Sequence, residues 1–257
     1  ISPDGETALV GMANGTIVAY STADGQQLAV WKSEVGTAIN SLTYNSSGSR
    51  AVSTDASRVV VYDASGQEVR RFAAQRAVAR FWPLDEDIVI TADRTNLLVA
   101  WNVPRGISVK RWRLELTPLA LALSPDGQFA LVGSAGIGDD APAAVRLYTL
   151  GSIDRSAEPA VGTPDTVAQP VRAFVGHSAP SESHGVGFGL DGARVLSIAD
   201  DGQLIVWETA TGDVTTSFTV TGDSNLLALT ISSDGEQAVV AGETDGVGVL
   251  RMYDMNR

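Results

Sequence analysis

The stretch ARVLSIADDGQLIVWETATG (193–212) carries three structural signals in succession. RVLSIA is a short apolar run rich in strand-forming residues, and DDG is a tight turn. LIVWE then alternates up to a Trp, the pattern of a strand with two different faces. ETATG places a glycine five residues beyond that Trp, at the head of a second hairpin.

Outward from this stretch, six segments align with a repeat of about 42 residues. Each opens on a turn: SPDG (2–5), NSSG (45–48), PLDED (83–87), SPDG (124–127), GLDG (189–192) and SSDG (232–235). In Ser-Pro-Asp-Gly the proline presets φ, the aspartate bonds back to the backbone and the glycine relieves the exit. An apolar segment follows (TALVGM, RAVST, DIVITA, FALVGSA, RVLSIA, QAVVAG), then a strand ending on an aromatic (TIVAYS, VVVYD, LLVAWN, VRLYTL, LIVWE, VLRMYD). Where a further strand follows, it ends at Trp31, Phe72, Trp112, Phe174 or Phe218. Four strands per unit and no helical periodicity predict an all-β chain, a β-propeller of four-stranded antiparallel blades with six repeat units visible. The blades fall at about 1–33, 34–74, 75–114, 115–176 with an insertion at 151–170, 177–220 and 221–257, as one domain over 1–257.

Residues 175–212, VGHSAP…GLDGARVLSIADDGQLIVWETATG, resemble a blade of the WD-repeat family. Gly-His, Asp-Gly, DDGQLIVWE and Thr-Gly all stand where that family has them. The resemblance covers the whole chain: strong in the fifth unit, fair in the first, second and sixth, weak in the third and fourth. It implies a ring that closes by pairing an N-terminal outer strand with the last blade. Unit one lacks an innermost strand apart from IS, and unit six stops at YDMNR. The expectation is an incomplete ring, part of a longer protein, with at least one outer and one inner strand upstream. Complete, it would hold six blades or the family's usual seven.

His177, Ser197 and Asp201, with Trp207 beside them, admit two readings. As chemistry, Ser-His-Asp is a nucleophile, a base and its orienting carboxylate. As structure, the resemblance implies a tetrad in which Ser accepts the Trp indole N–H, His bridges Ser to Asp, and Asp ties the turn. Ser197 lies four residues before Asp201, and Asp201 six before Trp207, which puts them on adjacent strands. Ser197 also lacks the sharp G-x-S-x-G turn of an exposed nucleophile. The structural reading is adopted, with no catalytic residue assigned. The pattern decays elsewhere: unit one has Asn14 and Val10 at the Asp and Ser positions, while Asp55 and Asp93 stand one and two residues early.

Composition narrows the partners. The net charge of −12, with Lys32 and Lys110 the two lysines, argues against nucleic acid. No run approaches the ~18 apolar residues of a membrane span, so no direct membrane insertion is expected. Without cysteine there is no disulfide or zinc–thiolate site, and two histidines make an imidazole-based metal site a poor fit. Cysteine-free composition leans towards an extracytoplasmic bacterial setting. No cofactor motif stands out, and neither GIGDDAP (136–142) nor GETDGVG (242–248) has the spacing of a calcium loop.

Those two loops join second and third strands, on the face around which WD-repeat proteins most often bind partners. Asp139, Asp140, Asp200, Glu243 and Asp245 would give it an acidic sector, with Arg76 and Arg94 an opposing basic spot; the plain alternative is a set of solvated loops. Tyr148 to Phe174 spans 26 residues, against 10 from Tyr62 to Phe72. The intervening insertion, with Asp154, Arg155 and Glu158, is expected to project from the opposite face as a partner-contacting arm.

The functional expectation is a non-catalytic platform for a protein or peptide partner, alone or as one subunit of a larger complex. The alternative is a propeller enzyme, lactonase-like or quinone-dependent, or a sensor attached to a catalytic domain outside this chain. Such enzymes need charged ligands on several inner strands, whereas INSLTYN, AVARFW, LALALS, GVGFG and LLALTIS read as small and apolar.

Overall fold

The computed structural model describes residues 1–32, 36–136, 141–160, 166–189, 191–220, 225–232, 235–244 and 247–255. The chain divides into two compact units, Ile1–Arg113 with Ile153–Thr166, and Leu114–Ser152 with Val167–Arg257. The fold class is all-β, of β-propeller type, with six successive antiparallel blades. Blade one holds β1 (Thr7–Gly11), β2 (Thr16–Ser21) and β3 (Gln27–Lys32). Blade two holds β4 (Ser41–Tyr44), β5 (Arg50–Thr54), β6 (Arg58–Asp63) and β7 (Glu68–Ala73). Blade three holds β8 (Val78–Trp82), β9 (Asp85–Asp93), β10 (Leu97–Asn102) and β11 (Ile107–Arg113).

Blade four is built from β12 (Pro118–Leu123), β13 (Phe129–Ser134), β14 (Ala144–Thr149) and, after the short β15 (Thr166–Val167), β16 (Arg172–Phe174). Blade five follows with β17 (Ser183–Phe188), β18 (Arg194–Ala199), β19 (Gln203–Glu208) and β20 (Val214–Thr219). Blade six has β21 (Asn225–Ile231), β22 (Gln237–Thr244) and β23 (Val247–Asp254). Neighbours in sequence are neighbours in each sheet, except that β15 lies beside β11 as a fifth strand of blade three. Among the described residues no helix is long and apolar enough to cross a membrane.

One rung organises every blade. The aromatics Tyr20, Tyr62, Trp101, Tyr148, Trp207 and Tyr253 pair with Ala8, Ala51, Val89, Ala130, Val195 and Ala238, small or β-branched residues that leave room for a ring. In blades one, two, three and five the ladder to the outermost strand slips just before the aromatic. One residue is left over on the outer strand each time: Leu28, Val69, Val109 and Thr215. That is a β-bulge, one extra residue opposite a regular partner.

Aromatics of successive repeats meet at four blade boundaries. Trp31 tilts against Tyr62 at 5.6 Å, Phe72 stacks on Trp101 at 4.7 Å, Phe174 lies 5.7 Å from Trp207 and Phe218 5.1 Å from Tyr253. Each such pair adds ~0.5–1.5 kcal/mol beyond area burial. Alternate residues of a strand serve opposite neighbours. In blade five, Val195, Ile205 and Trp207 join the core shared with blade four, while Leu196, Ile198, Leu204 and Val206 join the core shared with blade six.

Polar clamps repeat the same connection. Arg70 on β7 donates from Nε to Val103 O (3.0 Å) and from Nη2 to Pro104 O (2.9 Å), fastening blade two to the next hairpin. Arg172, at the corresponding rung of β16, donates to Thr211 O of blade five at 2.5 Å. Glu86 accepts from Asn45, Ser46 and Ser47, closing blade three onto the blade-two turn.

The insertion does not project as an arm where it is described. Residues 153–160 run along blade three: Ala160 N–H donates to Ser108 O at 3.0 Å, and Asn102 and Arg105 donate to Arg155 O. Arg155 pairs with Asp85 (3.2 Å) and Asp87 (2.6 Å), and Asp87 also holds Arg50 of blade two at 2.6 Å. The physical reason lies in the bulge. Leu28 and Val69 are 57% and 40% exposed at their bulges, but Val109, beside the insertion, is only 8% exposed. Glu158 is exposed, and Asp154 turns back to cap Ser156.

Candidate functional site

The loop before β17, strand β18 and the β18–β19 turn bring His177, Ser197 and Asp201 together in blade five. His177 Nδ1 lies 3.1 Å from both Asp201 oxygens, and Nε2 lies 2.5 Å from Ser197 Oγ. Asp201 also accepts the Ser178 N–H (2.8 Å) and the Gln203 N–H (3.1 Å), tying the incoming loop to the β18–β19 turn. Burial pushes the Asp201 carboxyl up, yet the His177 hydrogen bond and charge, with those two backbone donors, hold it below its ordinary value. With Asp201 ionised, Nδ1 carries the proton that faces it, and Nε2 shares a hydrogen bond with the Ser197 hydroxyl.

Trp207 departs from the expected tetrad. It is fully buried and packs edge-on to the His177 ring at 5.8 Å, but its indole N–H has no hydrogen-bond partner among the described residues. The Ser197 hydroxyl is aligned with the imidazole instead. Blade three lacks a histidine, and there Thr91 Oγ1, at the same rung as Ser197, does accept Trp101 Nε1 at 3.0 Å. Blade two shows a stretched version, Ser53 Oγ to Tyr62 OH at 3.5 Å. These contacts are legible once the strands are paired, because Ser53, Thr91 and Ser197 all sit two residues past the rung of the aromatic.

Of the proposed loop face, Asp139, Asp140 and Asp245 lie outside the described residues. Asp200 and Glu243 are exposed in the second unit. Asp200 Oδ1 accepts the Glu182 N–H at 2.6 Å, and both residues rim a cavity of about 460 Å3 lined also by Ala135, Gly136, Ala141, Pro180 and Ser181. Ser181 braces it, accepting the Ala143 N–H and donating to Ser178 O. In the first unit Arg76 and Arg94 are both exposed, and Arg76 has a positive φ of 45°. Arg76 N–H bonds Ala56 O and Arg94 N–H bonds Gln75 O, so the loop leading into blade three is held between two turns. Sequence reasoning missed Glu182, whose carboxylate also stands 3.8 Å from His184.

It also missed Arg80, the one charge in AVARFW. Arg80 lies on β8, and its Nη1 donates to Ala79 O at 2.8 Å and to Ser41 Oγ on β4 at 3.3 Å. Burial pushes its guanidinium down to about 10. Among the described residues no cluster of three or more His, Asp or Glu side chains is arranged to hold a metal ion.

No protein-family model matches this sequence, and no curated protein matches it.

Proposed function

We propose that this chain is a divergent WD-repeat-type propeller acting as a non-catalytic interaction platform, with the acidic rim of Glu182 and Asp200 as its contact with a basic protein or peptide surface. The observation that carries this reading is the fate of the one catalytic-looking constellation. Ser197 is 0% exposed, on a core strand, with its hydroxyl engaged by His177. A nucleophile must meet its substrate and an oxyanion hole; this group of side chains fastens a loop to a sheet. Recurrent blade-to-blade clamps support a rigid scaffold, and the net charge of −12 suits a cationic partner. A bacterial, extracytoplasmic setting agrees with the cysteine-free composition.

The test is affinity purification of the protein from its source, with mass spectrometry and a charge-reversed control. A stoichiometric partner should be retained by the wild type and lost by Glu182→Lys/Asp200→Lys at unchanged melting temperature. Ester hydrolysis abolished by Ser197→Ala would sink the reading.

A further inference from the structure

Arg80 occupies a rung that every other blade with a first strand fills with a small residue: Thr43, Ala122, Gly187 or Thr230. Its guanidinium is anchored from one end only. Nη1 spans Ala79 O of its own strand and Ser41 Oγ of the neighbouring blade, which fixes the plane of the group. Nε and Nη2, the edge that presents two parallel N–H donors, have no partner among the described residues, and no carboxylate pairs with this arginine there. Burial lowers its pKa with no opposing charge to raise it, as expected for an isolated cation. The residue nonetheless remains partly exposed.

The same chain shows what normally fills that edge. Arg71 presents Nε and Nη2 to the two oxygens of Glu68, and Arg70 presents the same pair to two carbonyl oxygens. A half-buried cation with a preorientated fork that no protein group fills among the described residues is complementary to a planar two-oxygen anion.

We propose that Arg80, braced by Ser41, is a binding site for a small carboxylate anion, taken up by the Nε–Nη2 edge. A monoanion matches the single positive charge, and the site is independent of the acidic rim of blades four and five.

The test follows the arginine Nε–Hε signals of uniformly 15N-labelled protein during titration with sodium formate, sodium chloride and inorganic phosphate at matched ionic strength. One signal, assigned by its loss in Arg80→Gln, should move downfield and saturate with formate while staying still in chloride. Ser41→Ala should weaken that apparent affinity roughly fivefold, the factor carried by one hydrogen bond. Should Arg80→Gln fail to fold, Arg80→Lys, which keeps the charge and removes the fork, assigns the same signal. A signal unmoved by formate, or moved equally by chloride, overturns the proposal; a response to phosphate without one to formate overturns the carboxylate assignment.

Discussion

Trp207 and Trp101 occupy equivalent rungs with opposite hydrogen-bonding states, and that contrast is measurable. Trp101 donates to Thr91, whereas the Trp207 indole N–H is buried without a partner. Trp101→Phe should therefore cost about 1–3 kcal/mol for the orphaned Thr91 hydroxyl, in addition to lost volume. Trp207→Phe loses volume alone and should be milder, although Trp207→Ala should cost ~3–5 kcal/mol. Urea denaturation of the three variants checks the order. Asp201 makes a second prediction at this scale. Its folded-state carboxyl sits below the ordinary value of 3.8, so its stabilising contribution is complete above that pH and lost as pH falls through the depressed value. The melting-temperature gap between wild type and Asp201→Asn should be widest near neutrality and shrink below pH 3.8. A gap unchanged by acid would exclude the carboxylate as its source.

Among the elements, the hairpin that leads into each outer strand differs in tightness from blade to blade. Gly66 and Gly25 stand at the same turn in successive blades with φ of 83° and 71°. A Cβ on Gly66 would lie 2.1 Å from Trp31 Cδ1, while one on Gly25 would meet nothing within 4 Å. Gly25→Ala should cost the left-handed penalty alone, about 1–2 kcal/mol. Gly66→Ala must also displace a buried indole, and should exceed ~3 kcal/mol. Equal losses in thermal unfolding would show that the contact with Trp31 is slack. The strands themselves were legible from period-two alternation. Their partners across blades were not, because sequence marks Trp31 and Tyr62 as strand ends without saying that the rings touch.

For the molecule as a whole, the insertion has the largest reach. A segment that leaves after β14 contributes Arg155 to Asp85 and Asp87 and lies along the edge of β11. Arg155 is 49% exposed, so Arg155→Ala should cost at most about 1 kcal/mol. Shortening the loop to a tight turn should lower hydrogen-exchange protection along β11 while sparing β7. Protection unchanged at β11 would make the segment a passive passenger. From sequence this stretch was an interruption of the repeat, and its length and place in the repeat pointed it outward. The complementary carboxylates lie nearly 70 residues earlier, where Asp85 and Asp87 pass for ordinary turn residues. Arg80 was overlooked for a similar reason. One charge in an alternating strand reads as a solvent-facing position, and the feature that distinguishes it is Ser41, 39 residues away on another blade. The repeating fold was thus open to inspection, while the contacts particular to this protein depend on meetings between distant repeats.

The slipped rung at the aromatics of blades one, two, three and five has a protective consequence. Outer strands carrying Leu28 or Val69 would, if flat, offer a greasy template on which another chain could add its own backbone. With one residue out of step, an incoming strand finds only a few consecutive bonds before the ladder fails. Many small sheets can therefore be crowded into a single chain without seeding fibres.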